Sequence, residues 1–243
     1  MLKTENLSES EINDVRKNLE NTIKVIAFDL YWTCIDSNRK KIWNWKRLWK
    51  LKQVLMTNII DFDKKEEIKE KYKEIPWFKQ PSLTIDSFIR NMKNHLYSSK
   101  LFYDFDVIEQ LKDSWYQIAA VSNLAKPFWD YLDNMVFRPK DIFDYKIYSY
   151  NEWYTKPDPR IFEVLKSKVN EDKPNNKKID FQNILMVWDN FNSDIKWAKN
   201  VWMIPIYINR WKDKNNEIQR TEKENIIIIH SLYDLILLLG CEN

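Results

Sequence analysis

The sequence predicts an α/β fold: a Rossmann-like, doubly wound parallel sheet with an inserted helical cap. Three observations lead to this prediction. Short apolar runs rich in β-branched residues recur along the chain, helical stretches separate them, and several of the runs end abruptly in polar residues. Runs of this kind are typical of buried parallel strands, and their alternation with helices is typical of a doubly wound sheet.

The elements follow one another in a regular order. A polar helical stretch at 8–21 comes first, and we expect it to pack on the outside of the core. The predicted strands cover 23–28, 117–121, 145–148, 184–187 and 204–208. The predicted helices between them cover 106–112, 159–169 and 193–200. The apolar stretch 226–239 is too short to span a bilayer and is interrupted by His230 and Asp234, so we expect a strand followed by a helix.

Residues 38–103 interrupt the alternation. The stretch is rich in lysine, its helical pattern breaks near Pro76 and Pro81, and it contains no convincing parallel strand. We interpret it as a helical cap, so that the α/β core domain comprises residues 1–37 and 104–243. A chain of 243 residues, 44% of them apolar, is long enough for such a core with one smaller insert.

Composition restricts the expected location and partners. Basic and acidic residues number 39 and 36, and this near balance gives no electrostatic argument for a nucleic-acid partner. Cys34 and Cys241 lack metal-type spacing and indicate a reduced protein rather than a disulfide scaffold. Residues 1–20 are charged throughout and contain no apolar signal region. We therefore expect a cytoplasmic protein with no nucleic-acid or membrane partner, while the oligomeric state is not predicted.

Polar side chains follow three of the predicted strands. Asp29 comes directly after the first strand, Ser122 and Asn123 come after the second, and Asp189 comes after the fourth. In open α/β sheets, ligands bind at the carboxyl ends of the strands. The sequence therefore predicts a functional site where these four side chains meet.

Four motifs that contain these residues occur in order along the chain. They are residues Phe28–Thr33, Val121–Asn123, Lys156–Phe162 and Val187–Asp194. Their order and spacing resemble the four signature motifs of the haloacid dehalogenase-like superfamily, whose members mostly transfer phosphoryl groups. The resemblance extends from about residue 23 to about residue 238, except in the insert.

The side chains of the motifs suit hydrolysis through a covalent intermediate. A carboxylate such as Asp29 can attack phosphorus or an activated carbon, and water then hydrolyses the product. Lys156 can supply a fixed positive charge, while Ser122 and Asn123 can donate hydrogen bonds to substrate oxygens. Thr33 can orient Asp29 by a hydrogen bond. We expect the substrate to be a small phosphate monoester.

Magnesium is the expected cofactor. Asp29 and Asp189, with a backbone carbonyl that we assign to Tyr31, provide the hard oxygen ligands that Mg²⁺ prefers. Asp194 is expected to orient the metal site or to hold a metal-bound water.

Tyr31 departs from the pattern of the phosphatases. Their residue at this position is usually a second Asp, which serves as general acid and base, whereas a phenol with a pKa of about 10 is a poor acid near neutral pH. A tyrosine here resembles the haloacid dehalogenase branch, which attacks carbon and expels halide without a metal. A 2-haloacid dehalogenase is therefore the alternative enzyme, with Asp29, Tyr31 and Lys156 as its catalytic residues. A non-catalytic binding protein on the same fold is the third interpretation.

Tryptophan stands at several positions where the superfamily has glycine. The chain has one glycine and 12 tryptophans, although glycine typically supplies about 7% of residues. Glycine is used where the backbone needs a positive φ or a close approach to a ligand. We interpret the tryptophans as a translation artefact, in which UGA codons that mean glycine were read as tryptophan. A decayed, inactive member of the superfamily is the alternative. The six positions are Trp32, Trp115, Trp153, Trp188, Trp197 and Trp202.

Overall fold

Eight strands form the central sheet of the protein, as seen in a computed structural model. The strands are β1 (Thr4–Asn6), β2 (Val25–Phe28), β5 (Gln117–Ser122), β6 (Tyr145–Tyr148), β7 (Ile184–Trp188), β8 (Ile204–Ile208), β9 (Gln219–Thr221) and β10 (Ile227–Ile229), while β3 (Ile35–Asp36) and β4 (Lys100–Leu101) form a separate pair. Their order in the sheet is β1-β9-β10-β8-β7-β2-β5-β6. From β10 to β6 every pair is parallel, and β9 and β1 add an antiparallel edge. The predicted, mostly parallel α/β sheet is therefore confirmed.

The structure describes residues 4–37, 66–67, 70, 90, 93–136, 141–190, 198, 200–211 and 217–241. Most of the predicted cap lies outside these residues, and so do Asp194 and Trp197. Of the helix predicted at 193–200, only residues 198 and 200 are described, and both are helical.

Within the described ranges, residues 93–97 are helical, and six α-helices with defined bounds lie around the sheet. They are α1 (Glu9–Thr22), α2 (Val107–Asp113), α3 (Lys126–Tyr131), α4 (Ser149–Glu152), α5 (Arg160–Val169) and α6 (Tyr233–Leu239). A π-helical turn, Leu132–Val136, extends α3, and two 3₁₀ turns are found at Asn175–Lys177 and Phe181–Asn183. The predicted helices at 8–21, 106–112 and 159–169 are each found within a residue of the expected bounds. No helix in the described part of the chain is long and apolar enough to cross a membrane.

Both faces of the sheet are covered, as the apolar composition of the strands predicts. Along β2, Ile26 and Phe28 pack in one apolar cluster with side chains of α1, α2 and α6. Val25 and Ala27 point the other way, into a second cluster that includes the buried face of α5. Because successive residues of a strand face opposite sides, this continuous apolar run supplies both cores.

Four short strands were not predicted from the sequence. Strands β1 and β9 have three residues each, and β3 and β4 have two. Such lengths are too short to show a periodic pattern. The β3–β4 pairing, with Ile35 opposite Leu101, joins the two ends of the region that the sequence assigns to the cap.

Candidate active site

Asp29 is held at the carboxyl end of β2, in the middle of the sheet. Its backbone N–H donates to the carbonyl of Val187 on β7, at 3.1 Å. Its carboxylate Oδ1 accepts hydrogen bonds from the hydroxyl of Ser122 (2.7 Å) and from the N–H of Leu30 (2.8 Å). Its Oδ2 lies 2.9 Å from Nζ of Lys156. The side chain is only 15% exposed, so the carboxylate is fixed in a shallow, mostly enclosed position.

Lys156 is the buried cation of the site. Its side chain is only 2% exposed, and Nζ donates to the carbonyl of Val121 at 2.9 Å as well as pairing with Asp29. An ammonium group in so enclosed a place is costly unless its charge is paired and its N–H groups are bonded. The ring of Trp188 lies beside it, with its centroid 5.0 Å from Nζ. The ion pair and the carbonyl therefore hold Lys156 against Asp29.

Asn123 connects the end of β5 to the segment that carries Lys156. Its side-chain carbonyl accepts from the N–H of Lys156 (2.6 Å), and its amide donates to the carbonyl of Lys156 (2.8 Å). We expected this amide to donate to substrate oxygens. The paired bonds show that Asn123 positions Lys156, and one of its two N–H groups is left for a ligand.

Thr33 does not make the expected hydrogen bond to Asp29. Its hydroxyl is fully buried and has no hydrogen-bond partner among the described residues. Among those residues, the donors to the carboxylate are instead Ser122 and Leu30 at Oδ1 and Lys156 at Oδ2. The thiol of Cys34, which sequence reasoning missed, instead donates to the backbone carbonyl of Asp29 at 3.2 Å.

The ring of Tyr31 packs among aromatic side chains. It stacks on His95, with ring centroids 4.9 Å apart, and meets Phe128 edge-on at 5.7 Å. Its hydroxyl lies 3.2 Å from the hydroxyl of Ser99, a residue of the region predicted as cap. Burial raises the pKa of Tyr31 well above its ordinary value. This phenol is therefore unsuited to donate or accept a proton at neutral pH.

Asp189 follows β7 directly, as Asp29 follows the neighbouring strand β2. The two strands pair in parallel, with Phe28 opposite Val187, so both carboxylates lie at the same edge of the sheet. Their hard oxygens suit a cation such as Mg²⁺. Asp194, the other expected carboxylate, lies outside the described residues. Within those residues, no group of three or more His, Cys, Asp or Glu side chains could hold a metal ion.

Comparisons with known proteins identify the fold. No protein-family model and no curated protein matches the sequence. Among solved structures, an enzyme of the haloacid dehalogenase (HAD) family from Bacteroides thetaiotaomicron matches with a TM-score of 0.56 and 18% identity, over 79% of this chain and 96% of that one. A HAD phosphatase from Thermococcus onnurineus matches with a TM-score of 0.54 and 20% identity, over 90% and 99%. The chain has a HAD-like fold.

A dehalogenase and a magnesium complex are also among the matching structures. A dehalogenase matches with a TM-score of 0.60 and 16% identity, over 92% of this chain and 99% of that one. The Bacteroides enzyme has also been solved in complex with magnesium and inorganic phosphate, and that structure matches with a TM-score of 0.54. At such low identities these likenesses establish the HAD-like fold alone.

A buried ion pair near the candidate site was missed by sequence reasoning. The guanidinium of Arg210 donates to the carbonyl of Thr33 from Nε (3.0 Å) and from Nη2 (2.5 Å). Its Nη1 lies 2.9 Å from Oδ2 of Asp104. Arg210 follows β8 by two residues, so its place after a predicted strand was the one signal that could have singled it out.

Proposed function

We propose that the protein is a cytoplasmic HAD-like hydrolase that cleaves small phosphate monoesters through an aspartyl-phosphate at Asp29, with Mg²⁺ as cofactor. One observation supports this above all: the carboxylate of Asp29 is fixed at a strand end between the hydroxyl of Ser122 and the ammonium group of Lys156. Phosphoryl transfer needs positioning and charge neutralisation, and this arrangement supplies both.

The proposed reaction has two displacements. The carboxylate of Asp29 forms a bond to phosphorus while the bond from phosphorus to the leaving oxygen breaks, and the departing alkoxide takes a proton from water. Water then attacks the same phosphorus, and the bond to Asp29 breaks. Inorganic phosphate leaves, and the carboxylate is restored. Lys156 offsets negative charge on the transferring group, and Ser122 keeps the carboxylate oriented.

Asp29 and Asp189, with the carbonyl of Tyr31 and with Asp194, would hold the Mg²⁺. When bound, the ion would neutralise charge on the phosphoryl oxygens. The magnesium and phosphate complex of the Bacteroides enzyme supports this cofactor by analogy. We further propose that residues 1–37 and 104–243 form the catalytic core, and that residues 38–103 form a cap that selects the substrate.

A 2-haloacid dehalogenase is the second candidate, and Tyr31 favours it. Its hydroxyl bonds to Ser99 and has a raised pKa, so the general acid expected of a phosphatase is absent at this position. In that reaction Asp29 attacks the carbon that bears the halogen, halide departs with the bonding electrons, and water hydrolyses the ester. A non-catalytic binding protein remains the third candidate.

Phosphate release from a panel of simple phosphomonoesters, with Mg²⁺ and with chelator, tests the proposal in the chain with glycine at the six tryptophan positions named above. We expect metal-dependent release that Asp29→Asn abolishes and that Asp36→Asn, the same change at an acid of strand β3, leaves unaltered. Halide release from 2-haloacids in the presence of chelator would establish the dehalogenase instead. A folded protein that releases neither product would point to the binding protein.

A further inference from the structure

Left-handed backbone in this protein coincides with tryptophan. Among the described residues, five that are not glycine have a positive φ: Asn225 and four tryptophans. Asparagine tolerates this conformation, whereas a bulky side chain in it is a genuine outlier. The tryptophans are Trp32 (62°), Trp115 (69°), Trp153 (64°) and Trp202 (66°). All four are among the six positions, named above, at which the haloacid dehalogenase-like superfamily has glycine.

Three of the four are helix-ending positions of the kind that glycine normally occupies, and the backbone bonds are clearest at Trp115 and Trp202. After α2, the N–H of Trp115 donates to the carbonyl of Lys112 (3.0 Å) and the N–H of Tyr116 donates to Leu111 (3.2 Å). This pair of bonds is the Schellman motif, whose left-handed residue is usually glycine. At Trp202 the longer-range of these two bonds is present, because the N–H of Met203 donates to the carbonyl of Ala198 at 2.9 Å.

The indole rings at these turns gain little from packing. Trp115 is 94% exposed, Trp202 is 81% exposed, and Trp153, which ends α4, is 63% exposed. A strained backbone persists when surrounding contacts compensate for it. Rings that extend into solvent do not supply such contacts, so nothing in the packing explains why a tryptophan stands there.

Trp32 has the same combination of a bulky side chain and left-handed backbone, and it lies at the candidate active site. It lies three residues after Asp29, and its N–H donates to the carbonyl of Ile35 at 2.7 Å in the loop that closes behind the nucleophile. Its ring lies 6.3 Å from that of Tyr31. Without a side chain at this position, the backbone next to the nucleophile would be open to a ligand.

We infer that positions 32, 115, 153 and 202 are glycine in the protein as its source organism makes it. The gene then carries UGA at these positions, in a genetic code that reads UGA as glycine. The inference does not depend on the proposed function, since it rests on backbone geometry. For the active site it means that the native loop presents backbone rather than an indole beside Asp29.

The codons of the gene and the peptides of the native protein test this inference. We expect UGA at the codons of Trp32, Trp115, Trp153 and Trp202, and glycine in the corresponding peptides by tandem mass spectrometry of protein from the source organism. UGG at these codons, or tryptophan in the native peptides, would overturn it.

A second, independent observation concerns Arg210. Its side chain is 4% exposed and that of Asp104 is fully buried, and the ring of Phe102 lies 3.9 Å below the guanidinium carbon. Oδ2 of Asp104 also accepts from the N–H of Leu232 at 2.6 Å, which fixes it to the loop before α6. The planar guanidinium thus connects Asp104 to the carbonyl of Thr33, four residues after the nucleophile.

The geometry points to Arg210 as a positioning residue that holds the loop 30–35 in place for the reaction at Asp29. This role rests on the proposed hydrolase function. The two bonds to the carbonyl of Thr33 tie this loop to the segment that follows β8. A displacement of the loop by about 1 Å can cost up to about a hundredfold in rate.

Arg210→Lys, compared with Arg16→Lys, tests this role. Arg16 makes a similar bond to the carbonyl of Leu237, at 2.7 Å, far from the site. We expect Arg210→Lys to lower kcat by about tenfold or more with little change in KM, because lysine lacks the planar fork. The control should retain the kcat of the parent chain. An unchanged kcat in Arg210→Lys would overturn the role.

A crystal structure of Arg210→Lys provides a readout that needs no activity. Displacement of residues 30–35 is expected, and an unmoved loop would contradict the positioning role. If the parent chain releases neither phosphate nor halide, the proposed function fails, and the crystal structure still tests Arg210.

Discussion

Two helices of this protein end in nearly the same backbone conformation, one at a glycine and the other at a tryptophan. Helix α6 ends at Gly240, with φ of 63°, and the N–H of Cys241 donates back to Ile236 at 3.1 Å. Helix α2 ends at Trp115, with φ of 69°, and the corresponding bond is that of Tyr116 to Leu111. The chain's one glycine is thus used where α6 needs a left-handed residue, and tryptophan fills the equivalent position after α2. The comparison teaches that the same left-handed helix end favours glycine at both places.

Replacing Gly240 at the end of α6 should have the largest effect on stability. Gly240→Trp is expected to lower the free energy of unfolding by roughly 3 kcal/mol. A side chain there is strained at positive φ, and its Cβ would lie 3.1 Å from Cδ of Glu20 and 3.3 Å from Cδ of Arg16. Urea denaturation measures the change.

Gly240→Asn is the control for this exchange, because asparagine tolerates left-handed backbone and should cost less than tryptophan. Equal stability of Gly240→Trp and the parent chain would mean that the helix end does not require glycine.

The reverse exchange, of Trp115 after α2 for glycine, should stabilise the protein. Trp115→Gly is expected to raise the free energy of unfolding by about 1 kcal/mol, since relief of the left-handed strain exceeds the extra flexibility of glycine in the unfolded chain. In a protein of this size, the melting temperature should rise by about 2–4 °C.

Trp129→Gly is the matched control for Trp115→Gly. Trp129 lies within helix α3, and its ring centroid is 4.6 Å from that of Tyr148. Glycine there should lower the free energy of unfolding by about 2 kcal/mol, through lost helix propensity and lost ring packing. A loss of stability in Trp115→Gly as well would contradict the strain account.

The smallest expected effect is on the pH dependence of stability, and it concerns Tyr116, the residue that follows Trp115. Burial is the main cause that raises the pKa of Tyr116 to about 12, and the charges of the nearby Cys241 and Glu20 add to it. In the unfolded chain the pKa of a tyrosine is about 10. The folded state therefore keeps this proton longer than the unfolded state. The resulting stability is present below about pH 10 and is lost as the pH rises towards about 12.

Tyr116→Phe should make the alkaline fall in stability shallower between about pH 10 and about pH 12, as measured by urea unfolding at a series of pH values. Burial also raises the pKa of Cys241 at the other helix end, so Cys241→Ser serves as the corresponding variant there. An unchanged slope in Tyr116→Phe would show that ionisation of this phenol is not linked to unfolding.

The sequence predicted those parts of the fold and site that a local pattern encodes. The strands that carry Asp29 and Ser122 are continuous apolar runs, and their polar ends predicted a common site. The three-residue strand β9 has no such pattern. The Arg210–Asp104 pair joins residues 106 positions apart without a motif, so only the folded chain reveals it.

Side-chain roles were harder to predict than side-chain neighbours. Asn123 lies at the expected site, and its carbonyl and one of its N–H groups bond to the backbone of Lys156. Thr33 was expected to bond to Asp29, yet its buried hydroxyl has no partner among the described residues and Ser122 bonds to the carboxylate. Competition among donors for one carboxylate depends on distances of a few tenths of an ångström, which spacing along the chain does not encode.

Peptide mass spectrometry of protein quenched with acid during turnover of a phosphomonoester tests the central claim most directly. The account predicts a phosphoryl group on the peptide that contains Asp29, formed in the presence of Mg²⁺ and absent from Asp29→Asn. A phosphoryl group on a different peptide, or turnover that persists in Asp29→Asn, would contradict it.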